Sequence, residues 1–171
     1  MAVLHNESKN LRFFLELADR EVPPSVPGQP RPPAEFARIL ATTGVEFYDR
    51  RDQAFWPFIR LPVLYLEGSD AGALVDSIRE FCSLRIPGFA FRTGAQREIA
   101  LQLGREETGS LLVEVGIDLA PYLLETTGRL GESGRELAMF RYYTTTAELV
   151  TFADQVVQEL AKLPPLRQLS P

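Results

Sequence analysis

The stretch Ile99-Ala100-Leu101-Gln102-Leu103-Gly104-Arg105-Glu106-Glu107-Thr108-Gly109-Ser110-Leu111-Leu112-Val113-Glu114-Val115-Gly116-Ile117-Asp118-Leu119 decides the fold class. Ile99, Leu101 and Leu103 alternate with Ala100 and Gln102; after a polar turn over 104–109, Leu111, Val113, Val115, Ile117 and Leu119 alternate with Glu114, Gly116 and Asp118. A period of two puts every apolar residue of such a run on one side of a strand. Two such runs joined by a short Gly-containing turn make a hairpin whose one face is apolar for its whole length. An antiparallel sheet is implied, together with something to cover that face.

The cover comes from two segments of helical period. Leu74, Val75, Ile78, Phe81 and Cys82 share one stripe after the break at Gly68-Ser69-Asp70, predicting a helix that runs to about Leu84. Leu149, Phe152, Ala153, Val156, Val157, Leu160 and Leu163 form the longest amphipathic stripe, stopped by Pro164-Pro165. Thr145 and Glu148 before it have capping-box spacing. Leu11, Phe13, Leu15 and Leu17 alternate like a strand and pair with Val3-Leu4 across 6–10 as an N-terminal hairpin. Residues 34–43 read as a short helix on the spacing of Phe36, Ile39 and Leu40. Two strands, 45–48 and 54–67, follow around Asp49-Arg50-Arg51-Asp52-Gln53; the second carries Leu61, Val63 and Tyr65 on one face and Leu64 and Leu66 on the other, the pattern of a central strand, while Pro57 and Pro62 mark its first half as an edge or a bulge. A last strand is read at 136–143. The strand–helix pairs 60–84 and 136–163 rhyme, with Leu74-Val75 matching Leu149-Val150 at a spacing of 75. The expected architecture is α+β: a single antiparallel sheet of about six to seven strands with two main helices on one face.

The expected organisation is one domain over 1–171. Residues 23–33 hold six of the chain's 13 prolines and read as an extended connector, a stiff spacer or a ligand for an aromatic-lined groove. Pro121 could open a helical turn before Gly128, Gly131 and Gly134 mark a loop, and 164–171 read as a short flexible tail.

Composition narrows the chemistry. The chain has 171 residues, 45% apolar and 24% charged, enough to form a core without staples. One His and one Cys cannot build a Cys/His zinc site or a disulfide framework. Formal net charge is −5, with 18 basic residues against 23 acidic ones and no Lys/Arg run, so the electrostatic footprint of a nucleic-acid binder is missing. The N-terminus lacks the basic-then-apolar order of a secretory signal and no apolar run reaches 18 residues, which leads us to expect a cytoplasmic protein with no membrane partner.

Catalytic constellations are equally sparse. Gly128-x-x-Gly131-x-x-Gly134 lacks the strand and helix of a dinucleotide fingerprint, and no Gly-x-Ser-x-Gly elbow occurs. His5 reads as a solvent-facing residue of a fraying hairpin, and Cys82, beside Ile78 and Phe81, as a small core hydrophobe. The carboxylate pairs Asp49/Asp52 and Glu106/Glu107 could serve acid–base work only if buried, and both fall in turns. The segment 46–58 packs five aromatics and five charges into 13 residues. Its rings either fill the sheet's core or, with the arginines, anchor a partner. No catalytic residue, cofactor or metal site is therefore expected; the candidate contacts to another protein are Asp49, Asp52, Trp56, Glu106 and Glu107.

The phrases AFWPFIRLPVLYLEG, ALVDSIREF, GFAFRTGAQREIALQLGREETGSLLVEVGIDL and RELAMFRYYTTTAELVTFADQVVQEL, in that order, resemble the small bacterial immunity proteins paired with wall-associated contact toxins, the WapI immunity-like families. The resemblance spans most of residues 3–163 and rests on hydrophobic pattern with a few Gly and Trp positions; the proline-rich 23–33 segment departs from it. It implies a protein that binds and neutralises a toxin domain by occlusion, and it carries over no motif residue. An adaptor or secretion chaperone, which would bind a carrier without inhibiting it, is the alternative expectation.

Overall fold

The computed structural model describes residues 1–22, 37–93, 99–118 and 137–164. The proline-rich connector, the 120–134 segment and nearly all of the tail lie outside the described residues. The order of elements is β1 (Ala2–His5), β2 (Leu11–Glu21), β3 (Arg38–Asp49), β4 (Ala54–Glu67), α1 (Asp70–Cys82), β5 (Gly88–Arg92), β6 (Ile99–Arg105), β7 (Leu111–Asp118), β8 (Leu137–Thr144) and α2 (Thr146–Lys162). Four strands and a helix thus occur twice, which gives the spacing-75 rhyme a structural counterpart.

The strands form two four-stranded antiparallel sheets, β1-β2-β3-β4 and β5-β6-β7-β8. The α+β class holds, but the expected single sheet of six to seven strands does not. The two meanders join across a helix rather than along an edge. Alternation shows which face of a strand is buried, not which neighbour it has, and here each meander ends in its own helix. Over its described residues, 99–118, the hairpin has the expected character: Leu101 faces Val115 and Leu103 faces Val113, all four buried.

Two further elements differ from expectation. Residues 38–43 belong to strand β3 rather than to a helix at 34–43: Ile39, Ala41, Thr43 and Val45 are buried at a period of two, and pairing with β2 and β4 outweighs the helical spacing of Ile39 and Leu40. Strand β5, with Phe89 and Phe91 paired to Leu103 and Leu101, was not foreseen, since five residues after Pro87-Gly88 carry little periodic signal.

Strand β8 fixes how the sheets meet. At one end the Thr144 hydroxyl donates to the His5 carbonyl at 2.7 Å and the Glu7 amide to the Tyr143 carbonyl at 2.9 Å, beside β1. Four residues earlier, in the middle of β8, the Phe140 ring meets Phe58 of β4 edge-on, with centroids 5.5 Å apart. Three strand spacings separate β1 from β4, about 14 Å, and the four-residue advance along β8 covers about 13 Å. Strand β8 therefore runs steeply across the first sheet, the geometry of crossed sheets. The core fills the angle between them. Phe13 packs on Phe152 of α2 at 5.9 Å, and Phe81 of α1 on Phe89 at 6.0 Å. The helices lie side by side, with Arg79 and Asp154 3.4 Å apart.

Helix α2 starts with the Thr145 half of the capping box, whose hydroxyl accepts the Glu148 amide at 3.2 Å. The Glu148 carboxylate faces Lys9 at 3.5 Å. Helix α1 ends two residues before the expected Leu84. Leu84 has φ 62°, its amide donates to the Phe81 carbonyl, and the Arg85 amide reaches back to the Glu80 carbonyl at 3.0 Å. This is the left-handed stop usually given to glycine. Its side chain is exposed, so Leu84→Gly loses little packing and removes the left-handed penalty. The variant should be more stable by about 0.5–1 kcal/mol in urea unfolding; a less stable variant would show that the Leu84 side chain contributes more than its exposure indicates.

Candidate functional site

Five aromatics occupy the β3–β4 arm, and none is buried. Phe47 and Trp56 are directly paired across the two strands and are 41% and 48% exposed; Phe58 is 64% exposed. Leu11, half-buried, pairs with Phe47 on the other side, so an apolar row crosses β2, β3 and β4. The odd residues of β2 further along, Phe13, Leu15 and Leu17, continue the same face into the core. The row is thus the end of the core face that projects beyond its cover.

A bulge extends this row. The register slips between Val45, which faces Ile59, and Glu46, which faces Pro57, leaving Phe58 as the extra residue. Pro57 and Pro62, read from sequence as an edge or bulge signal, lie on β4, which stands last in its sheet rather than in the central place its two apolar faces suggest. Phe58 is turned to Phe140 of β8, which carries the aromatic surface from the first sheet to the second. On the opposite face, Phe55 packs on Tyr48 at 5.3 Å and on His5 at 5.6 Å, with the Arg12 guanidinium 3.8 Å over its ring. Arg12 is held in turn by Glu46 at 2.6 Å. The segment therefore splits: Tyr48 and Phe55 make a half-buried structural cluster, whereas Phe47, Trp56 and Phe58 remain available. The idea that the rings fill the core is corrected here, because alternation sends them to two faces of an arm that extends past the core.

The acidic candidates lie at two hairpin tips. Asp49, half-buried, accepts the Arg51 amide at 2.7 Å and shapes its own turn, while Asp52 is exposed beside it. Glu106 and Glu107, both exposed, sit on the β6–β7 tip of the other sheet. The preceding Arg105 turns inward, 4.8 Å over the Phe81 ring and donating to the Phe81 carbonyl at 3.2 Å, so this tip presents carboxylates without their sequence neighbour's charge. The Tyr143 hydroxyl reaches both Glu106 oxygens at 3.0 Å, and that bond raises the phenol's pKa above its ordinary value. A chain of contacts links the two tips. Tyr143 receives the Glu7 amide, and the Tyr48 amide donates to Asn10 in the same β1–β2 turn at 2.8 Å. Both tips thus border one end of the molecule, while each carboxylate pair stays in its own turn.

Sequence reasoning missed Phe47, Phe58 and Tyr143 as exposed residues. The Pro57–Phe58 bulge signal was available for the second of these. His5 is also placed differently from expectation: it is half-buried against Phe55 on a docked strand rather than solvent-facing in a frayed end. Cys82 is half-buried against the core, and burial pushes its thiol pKa up, an effect partly countered by Arg105. Among the described residues, no cluster of three or more His, Cys, Asp or Glu side chains could hold a metal ion.

No family model matches the chain, and no curated protein matches it. Among solved structures it is similar to the plant transcriptional regulator PBF-2, at 11% sequence identity and a TM-score of 0.42, over 90% of this chain and 77% of that one. Among the described residues no helix is long and apolar enough to cross a membrane.

Proposed function

We propose that this chain is a non-catalytic protein-binding domain, and within that class an immunity protein that neutralises a cognate toxin by covering it. The observation that supports this most directly is the exposed row Phe47–Trp56–Phe58, a contiguous set of large rings that the fold leaves uncovered. Such rings dominate contact energies at protein interfaces because they bury large areas at small entropic cost. One acidic tip, Asp49 and Asp52, closes the arm that carries the row, a second, Glu106 and Glu107, lies on the β6–β7 turn, and the formal net charge is −5. The partner is accordingly a protein with a basic surface around an apolar anchor pocket, and opposite charge speeds the encounter. Asp49, Asp52, Glu106 and Glu107 supply the charge and Trp56 the central anchor.

Co-expression with the product of the adjacent gene tests this reading. That product should arrest growth alone and lose its toxicity when this chain is present. Binding without protection would instead assign the chain to the adaptors, and a product that is harmless alone, or equally toxic with the chain present, would rule out immunity.

A further inference from the structure

We propose that β1 is an acid-releasable strap: near neutral pH the uncharged His5 imidazole packs on Phe55 on the face of the first sheet opposite the core, and proton uptake there loosens β1 from its neighbours. Besides its four-residue ladder with β2, the strap is held by polar contacts at its ends. The Met1 amine pairs with Glu159 at 2.8 Å, the Val3 amide donates to the Gln155 side chain at 2.7 Å, and the carbonyl of His5 itself accepts the Thr144 hydroxyl. Ala2, Val3 and Leu4 add three buried apolar side chains.

The His5 ring is set where a positive charge is unwelcome. Its Nδ1 is buried without a hydrogen-bond partner. Its ring contact, Phe55, already carries the Arg12 guanidinium at 3.8 Å, and Arg12 is the residue paired with His5 across β1 and β2. A second cation would compete for that ring and repel the first. The charged groups that act on the imidazole are Arg12 on β2 and Lys9 in the turn, which oppose its protonation, and Glu148 on α2, which favours it. Glu148 is shared with Lys9. Burial is the largest influence, and the balance holds the imidazole below its ordinary value of 6.5.

The consequence for pH follows from linkage. A released β1 takes up a proton near pH 6.5, whereas the docked strand takes one only at lower pH. The docked state therefore has its full advantage above 6.5 and loses it as pH falls through the docked value. Glu159, whose pKa is lowered chiefly by its bond to the N-terminal amine, stays ionised through this window, so the first contact to weaken is the one at His5.

His5 is the chain's sole histidine, so its ring signal in an NMR titration needs no assignment. The expected midpoint lies below 6.5. Native-state hydrogen exchange at pH 7.0 and 5.5, corrected for intrinsic rates, should show protection of the Val3 and Glu7 amides falling more than that of Val113 and Val115 in the core hairpin. The ceiling on this extra loss is about tenfold per pH unit by which the midpoint lies below 6.5. In His5→Asn, which cannot take the proton, the difference should vanish. A midpoint at or above 6.5, strap and core amides responding alike, or an unchanged response in His5→Asn would each overturn the proposal. The two wild-type readings stand even if the variant does not fold.

Discussion

Gly44→Ala should destabilise the protein by about 3 kcal/mol, at the upper end of the cost of forcing extra volume into a packed site, and lower Tm by roughly 6–12 °C for a chain of this length. A Cβ built on Gly44 would stand 2.1 Å from the Ile59 carbonyl oxygen and 2.9 Å from the Phe14 ring. The first obstacle is backbone and the second a fully buried ring, so neither can swing aside cheaply. Gly44 pairs with Arg60, beside the Val45/Glu46 slip that throws Phe58 outward, so the variant should also displace Phe58 from Phe140. Gly104→Ala is the matched control. A Cβ there meets nothing within 4 Å, and thermal unfolding should be unchanged or slightly improved. Equal losses in the two variants would show that flexibility rather than space is what glycine supplies.

The second large effect concerns binding rather than stability. Trp56→Ala and Phe58→Ala should each weaken the complex with the toxin partner by about 30-fold or more, the loss of about 2 kcal/mol that marks an interface anchor. Both rings are about half exposed or more, so Tm should move little. That combination separates a surface role from a structural one. Glu106→Gln and Glu107→Gln should act mainly through a slower association rate that weakens further with salt, because exposed charges steer more than they hold.

The sequence was legible wherever alternation was long and one face was dry. The 99–119 hairpin, the N-terminal hairpin and both helices owe their legibility to this, and the Thr145 cap to a local hydrogen bond that needs no tertiary context. The split into two sheets was not legible, because β8 crosses β1 to β4 through contacts between residues nearly 140 positions apart, such as Thr144 with His5. The misread 34–43 segment shows the same limit at short range. Ile39 and Leu40 fit a helical stripe as well as a strand, and only pairing with β2 and β4 decides between them. At the candidate site, the density of rings in 46–58 was visible, but their division between two faces depends on the Phe58 bulge and on how far the arm outreaches its cover. His5 was misplaced because closeness to the terminus suggested fraying, whereas β1 is docked at both ends by α2 and β8.

Isothermal titration of the adjacent gene's product with wild-type chain and with the Trp56→Ala/Phe58→Ala double variant tests the central claim most directly, with Leu84→Gly as a control on another face. The account predicts tight binding by the wild type and the control, and at least about a 100-fold weaker Kd for the double variant at unchanged Tm. A double variant that binds as tightly as the wild type would contradict it.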